Sequence, residues 1–132
     1  MRRLTLLTTA LAFLLPGAAM AATEIAPVPV VPQATTAVAT SVVVSAAPAL
    51  LHGASITTGA SGGYFLALNA TADPGNGAVT PLKCVAVAAN SSATMTADSA
   101  TSWLFSKGIV LVFSTTGCFI EAQSATAFFS WQ

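Results

Sequence analysis

Charge is what this sequence has least of. Four Lys/Arg and four Asp/Glu occur in 132 residues, 6% of the chain, against about 25% in ordinary soluble domains. Arg2 and Arg3 lie in an N-terminal leader described below. The rest keeps Lys83 and Lys107 against Glu24, Asp73, Asp98 and Glu121. Two lysines cannot neutralise a row of phosphates, which excludes nucleic-acid binding. They cannot hold an anionic membrane surface either. Although 55% of the residues are apolar, no run reaches the roughly 18 residues of a membrane span, so no stable membrane insertion is expected once the leader is removed. Solubility must rest on hydroxyls and amides, and weak mutual repulsion favours association with a protein partner or with further copies.

Residues for catalysis are equally scarce. His52 is the single histidine, and Cys84 and Cys118 are the only cysteines, too few ligands for a zinc site. Asp73 with Asn76 offers too few oxygens for a calcium loop. A catalytic His52 would need a nucleophile and an orienting acid, and no G-x-S-x-G turn is present. The glycines of Gly59-Ala60-Ser61-Gly62-Gly63 lack the lysine and helix of a phosphate-binding loop. Nothing in the spacing sets two carboxylates opposite one another, as glycoside hydrolysis requires. The chain is therefore expected to be no enzyme, with no catalytic, cofactor-binding or metal site.

What is present divides into three parts. Met1-Arg2-Arg3, the apolar stretch Leu4 to Leu15, the Pro16-Gly17 break and Ala19-Met20-Ala21 follow the layout of a secretory signal peptide. Residues 1–22 are read as that leader, of a bacterial type, with cleavage after Ala21 or Ala22. The destination is then the periplasm or the exterior. Residues 23–40, with Pro27, Pro29 and Pro32 among Val and Ala, read as an extended linker or a plain tail. Residues 41–132 read as one all-β domain.

In that domain short β-prone runs alternate with turn residues. Candidate strands are Ser41–Ser45, Leu50–Thr58, Tyr64–Ala70, Leu82–Ala88, Ser92–Ala97, Ile109–Phe113 and Ala125–Trp131. Leu50, Ala54 and Ile56 should share a face, as should Tyr64, Leu66 and Leu68 opposite Phe65 and Ala67. Leu82, Cys84 and Ala86 are expected on the inward face, opposite Val85 and Val87. The uninterrupted Ile109–Phe113 run suits a central strand covered on both sides. Trp103-Leu104-Phe105 reads as the start of a strand or as a loop plug. Asp73-Pro74-Gly75-Asn76-Gly77 and Asn90-Ser91-Ser92 mark turns. About seven such strands imply an antiparallel two-sheet sandwich, jelly-roll or immunoglobulin-like.

Cys84 and Cys118 either form a disulfide, which an oxidising compartment favours, or sit as two small buried hydrophobes. Tyr64, Trp103 and Trp131 are candidate ligand-contact aromatics. In one exposed row they would stack on sugars; otherwise they pack in the core.

The stretches L-L-H-G-A-S-I-T-T-G-A-S-G-G-Y-F-L-A-L-N-A-T, G-A-V-T-P-L-K-C, F-S-K-G-I-V-L-V-F-S-T-T-G and S-A-T-A-F-F-S together resemble a group of small uncharacterised proteins of bacteriophages and prophages. The resemblance runs from Val42 to Ser130. It implies a small β-sandwich that forms part of, or attaches to, a virion, and it implies no enzyme activity. The leader and the proline-rich segment depart from that group. The expected function is thus an exported structural or protein-interaction sandwich, with glycan binding as the alternative.

Overall fold

The computed structural model describes residues 31–98 and 101–132. The leader, the first part of the linker (residues 23–30) and residues 99–100 lie outside that range. The described residues form twelve strands: β1 (Gln33–Ala34), β2 (Ser41–Ser45), β3 (Ala49–Leu51), β4 (Gly53–Thr58), β5 (Gly63–Asn69), β6 (Gly77–Ala78), β7 (Lys83–Val87), β8 (Ser92–Thr96), β9 (Trp103–Phe105), β10 (Ile109–Ser114), β11 (Ile120–Glu121) and β12 (Ala127–Trp131). All pairings are antiparallel. One sheet has the order β1-β12-β4-β8 and the other β2-β10-β5-β7. Two ribbons, β3-β9 and β6-β11, complete the set.

The pairs β1·β12, β2·β10, β3·β9, β4·β8 and β5·β7 are nested one inside the next. A single long hairpin, folded at β5–β7 and rolled so that β1·β12 and β4·β8 fall in one sheet and β2·β10 and β5·β7 in the other, produces this order. It is the wrapping of a jelly roll and differs from the sheet composition of an immunoglobulin domain.

The inner faces supply the main core. Ala54 and Ile56 of β4, Met95 of β8, and Ala127 and Phe129 of β12 meet Phe65, Ala67, Val87, Ile109, Leu111 and Phe113 of the other sheet. The Phe65 and Phe129 rings lie 6.0 Å apart and tilted, a favourable arrangement for aromatic quadrupoles. Every residue of β10 is buried, as its continuous apolar run implies, because it is central in its sheet and covered on both faces. The outward cover is a second cluster, Leu66, Leu68, Val110 and Val112, against which Tyr64, Ala70, Val79 and Cys84 pack. The 70–82 and 115–122 segments, joined by the β6-β11 ribbon, provide it, so the domain has a partial third layer.

The alternation expected for β5 holds, with Phe65 and Ala67 facing the main core and Leu66 and Leu68 the second cluster. Asn90 does turn the chain, with a φ of 50° that asparagine tolerates better than most residues.

Four expectations need correction. The sandwich starts before residue 41: Gln33 and Ala34 pair with Trp131 and Ser130, and Ala39 bridges Ala127. The free edge of β12 needs backbone partners, and Thr35 N–H supplies one to Phe129 O at 2.8 Å. Leu50–Thr58 is two strands, not one. The chain breaks at His52, where β3 leaves its ribbon with β9 and β4 joins the first sheet. Leu50 is therefore exposed while Ala54 and Ile56 are buried. Leu82, Cys84 and Ala86 do not face the main core; Val85 and Val87 do, since β7 is an edge strand whose other face looks toward the 70–82 segment. Finally, eight strands rather than seven build the two main sheets, because the two-residue β1 is too short to show alternation.

Candidate functional site

Of the aromatic candidates, Tyr64 packs on the second cluster, while Trp103 and Trp131 pack against the main core. All three are half-buried and they do not form one exposed row. Trp103 is further occupied by Lys83, whose Nζ lies 5.0 Å from the ring centroid, a cation–π distance. Trp131 does reach a shallow cleft of about 210 Å³, which it lines with Pro32, Ser55, Ser130, Thr94 and Gln132 among others. The lining is neutral, and Ser55 and Ser130 hydrogen-bond across β4 and β12 at 2.6 Å. His52 is exposed and serves the fold through its backbone: its N–H donates to Gln132 O at 2.8 Å and its carbonyl accepts from Ala97 N–H at 3.0 Å.

Cys84 and Cys118 are disulfide-bonded, with Cα atoms 5.8 Å apart. The bridge ties the β7 edge to the loop between β10 and β11. Ser114, fully buried, pins the same loop: its hydroxyl donates to Ile120 O at 2.9 Å and accepts Ala122 N–H at 3.1 Å. Val79 N–H donates to Phe119 O at 3.0 Å.

The polar centre of this outer layer was not foreseen from spacing. Asp73 and Glu121, which no motif links, come together with Gln123. The Gln123 amide Nε2 donates to Asp73 Oδ2 at 2.6 Å and to Glu121 Oε1. Ser41 at the start of β2 donates to Asp73 Oδ2, Gly75 N–H to Asp73 Oδ1 at 2.8 Å, and Thr40 Oγ1 to Gln123 Oε1 at 2.8 Å. Asn76 Oδ1 accepts Gln123 N–H at 2.7 Å. The turn read at residues 73–77 makes this possible. Gly75 takes a φ of +76°, which glycine adopts without penalty, and the chain doubles back to present Asp73 and Asn76 on one side.

The two carboxyls differ in character. Burial pushes Glu121 above its ordinary value, and Asp73 beside it adds to the effect against the hydrogen bond from Gln123. For Asp73 burial also pushes upward, but the bonds from Ser41, Gly75, Gln123 and Glu121 outweigh it and leave the group below its ordinary value. Such a split often accompanies acid–base chemistry. Here Glu121 is only 1% exposed, so a substrate atom has no access to it, and the pair does not open onto the Trp131 cleft.

The remaining feature is apolar and exposed. Leu50 and Leu104 stand directly opposite each other in the β3-β9 ribbon, 55% and 64% exposed, while their neighbours Leu51 and Phe105 are buried. Phe119 and Ile120 project from the outer layer at 68% and 56%. Compared with known proteins, the chain matches no family model, no curated protein and no solved structure.

Proposed function

We propose that the chain is an exported, non-enzymatic β-sandwich that works through protein contacts, by self-association or as an accessory of a virion-like particle. The observation that carries this reading is the Leu50–Leu104 pair. Two large aliphatic side chains, exposed and opposite each other on one ribbon, are suited to the apolar centre of an interface. Scarcity of charge lowers the barrier to association, and the phage-like stretches favour an assembly role. The N-terminal leader and the disulfide support export to an oxidising compartment. Light scattering after size exclusion tests the reading. The secreted protein is expected to run as an oligomer, or to copurify with a defined partner, and Leu50→Ser with Leu104→Ser to run as a free monomer. A wild-type monomer with no copurifying protein would refute it.

The Trp131 cleft favours a second reading, glycan binding. Its neutral hydroxyls and amide with two flat apolar groups, Pro32 and Trp131, suit a sugar ring. A glycan array with wild type and Trp131→Ala decides this: binding lost in the variant supports it, and no binding by wild type removes it.

A further inference from the structure

The two main sheets end in the edge strands β1, β8, β2 and β7, and all but one of these edges are blunted. β1 has two residues and follows Pro32. β2 carries a register shift where it meets Ile109 and Val110. β7 opens with Lys83 and is tied through Cys84 to the loop before β11. Short length, proline, bulges and lysine are the devices that keep sheet edges from pairing with other chains. β8 has none of them. Its five residues, Ser92-Ala93-Thr94-Met95-Thr96, hold no charge, proline or glycine, and their register with β4 is unbroken. No strand among the described residues covers its outer side.

The register shows which groups that side presents. At the ends of the pair, Thr58 N–H donates to Ser91 O and Ala97 N–H to His52 O. Antiparallel ladders alternate, so Ala93 and Met95 also turn their backbone groups to β4, while Ser92, Thr94 and Thr96 turn theirs away. All three are exposed. From this we infer that β8 pairs antiparallel with β8 of a second copy, about a twofold axis through Thr94, joining the two β1-β12-β4-β8 sheets into one. The pairing rests on the self-association proposed above and supplies its partner and geometry. With Thr94 opposite Thr94, Ser92 stands opposite Thr96, and each pair exchanges N–H···O bonds in both directions. An axis through any other residue of β8 leaves at least one of the three outside the pairing. On the inner face, partly buried Ala93 meets Met95 of the second copy, and both belong to the main core. On the outer face, Ser and Thr side chains oppose one another, a favourable cross-strand combination. They prolong hydroxyl contacts already present across the sheet, Ser55 to Ser130 at 2.6 Å and Thr57 to Ser92 at 2.9 Å. Asp98, the acid next along the chain, falls opposite the Asn90 turn, so no like charges meet along the strand. The β3-β9 ribbon continues the β4-β8 ladder beyond His52 and Ala97. The Leu50–Leu104 pair therefore stands past the Thr96 end of this edge and belongs to the same contact. The closed twofold arrangement uses up the edge, so pairing stops at two copies.

The test is size exclusion with light scattering on the full secreted chain, on Thr94→Lys and Thr94→Glu separately, and on an equal mixture of the two. Residue 94 is exposed and gives β4 no backbone bond, so both variants should keep the wild-type melting temperature. The wild type is expected as a dimer. Each variant alone sets like charges opposite each other and should dimerise roughly tenfold or more weakly. The mixture should recover a dimer, because the lysine of one chain then meets the glutamate of the other. Amide exchange at Ser92, Thr94 and Thr96 should slow as the wild type dimerises. A dimer unchanged in both variants would overturn the β8 pairing and leave the Leu50–Leu104 reading standing. So would a wild-type chain that binds only a different protein. A wild-type monomer without any partner would overturn both. Weakening in each variant without recovery in the mixture would overturn the twofold placement of Thr94, and with it the pairing.

Discussion

Replacing Cys84 and Cys118 together by alanine probes what holds the outer layer in place. The bridge closes a loop of 34 residues, and the chain-entropy relation for that length gives about 4 kcal/mol at 25 °C. That stabilisation acts on the unfolded ensemble, so the Val79, Ser114 and Gln123 hydrogen bonds of the folded protein do not substitute for it. In a domain of this size each kcal/mol is worth about 4–8 °C, so the melting temperature should fall by roughly 15–30 °C. Urea unfolding followed by tryptophan fluorescence measures the same loss isothermally. It also carries a second signature: freed of its cross-link, the unfolded chain is more expanded, so the m-value should rise as the midpoint falls. A loss below about 1 kcal/mol with an unchanged m-value would refute the reasoning. It would mean that residues 84–118 are already held together in the unfolded ensemble.

Other perturbations test separate parts of the fold. Phe129→Ala removes a fully buried ring that meets Phe65 across the sheets and should cost about 3–5 kcal/mol in urea unfolding. Ser114→Ala leaves the Ile120 carbonyl and Ala122 N–H without their partner, with an expected loss of about 1–3 kcal/mol and faster amide exchange across residues 115–122. Gly108→Ala would bring its new Cβ to 2.6 Å from both the Ala70 and Ser45 carbonyl oxygens, so the β2–β10 and β5–β10 contacts must spread. A lower melting temperature is expected. The pH dependence of stability should carry opposite contributions from the two acids. Glu121, raised in the fold, favours the folded state at acidic pH and loses that contribution as pH rises through its folded value. Asp73, lowered in the fold, contributes above its ordinary value and loses that as pH falls. Glu121→Gln should therefore flatten the decline on the alkaline side, and an unchanged profile would contradict this.

What could be read from the residues, and what could not, follows from the range of each signal. The alternation of Tyr64 to Leu68 and the solid apolar run of β10 report burial directly, so the two-layer pattern and the central strand were visible. Cys84 misled because both faces of β7 carry small or apolar residues, and alternation cannot tell a main core from a secondary one. The ribbons β6-β11 and β3-β9 are two or three residues long, below the length at which a period can be counted. The Asp73–Glu121 pair was invisible for a different reason. Its partners are spread over long sequence separations, up to the 83 residues between Thr40 and Gln123, and they meet only because the hairpin is rolled.

Rolling the hairpin also explains why the polar cluster and the disulfide occupy the same region. Burying β10 on both faces leaves Val110 and Val112 pointing away from the main core, where a simple two-layer sandwich would expose them to water. The chain must therefore return over that face, and it does so with the segments after β5 and after β10, which break the otherwise nested pairing order through β6-β11. A ribbon of two residues per strand gains little from its own ladder. It has to be fastened at its margins: by Cys84–Cys118 at the β7 edge and by Asp73, Glu121 and Gln123 at the β2 edge. A chain with so few acids spends two of them at that second fastening. Gln123, which donates to both carboxyls, joins them across that margin. If the outer layer stayed closed in a variant lacking both the disulfide and the two carboxyls, the apolar contacts of Val79 and Ala70 alone would suffice, and the need for either fastening would disappear.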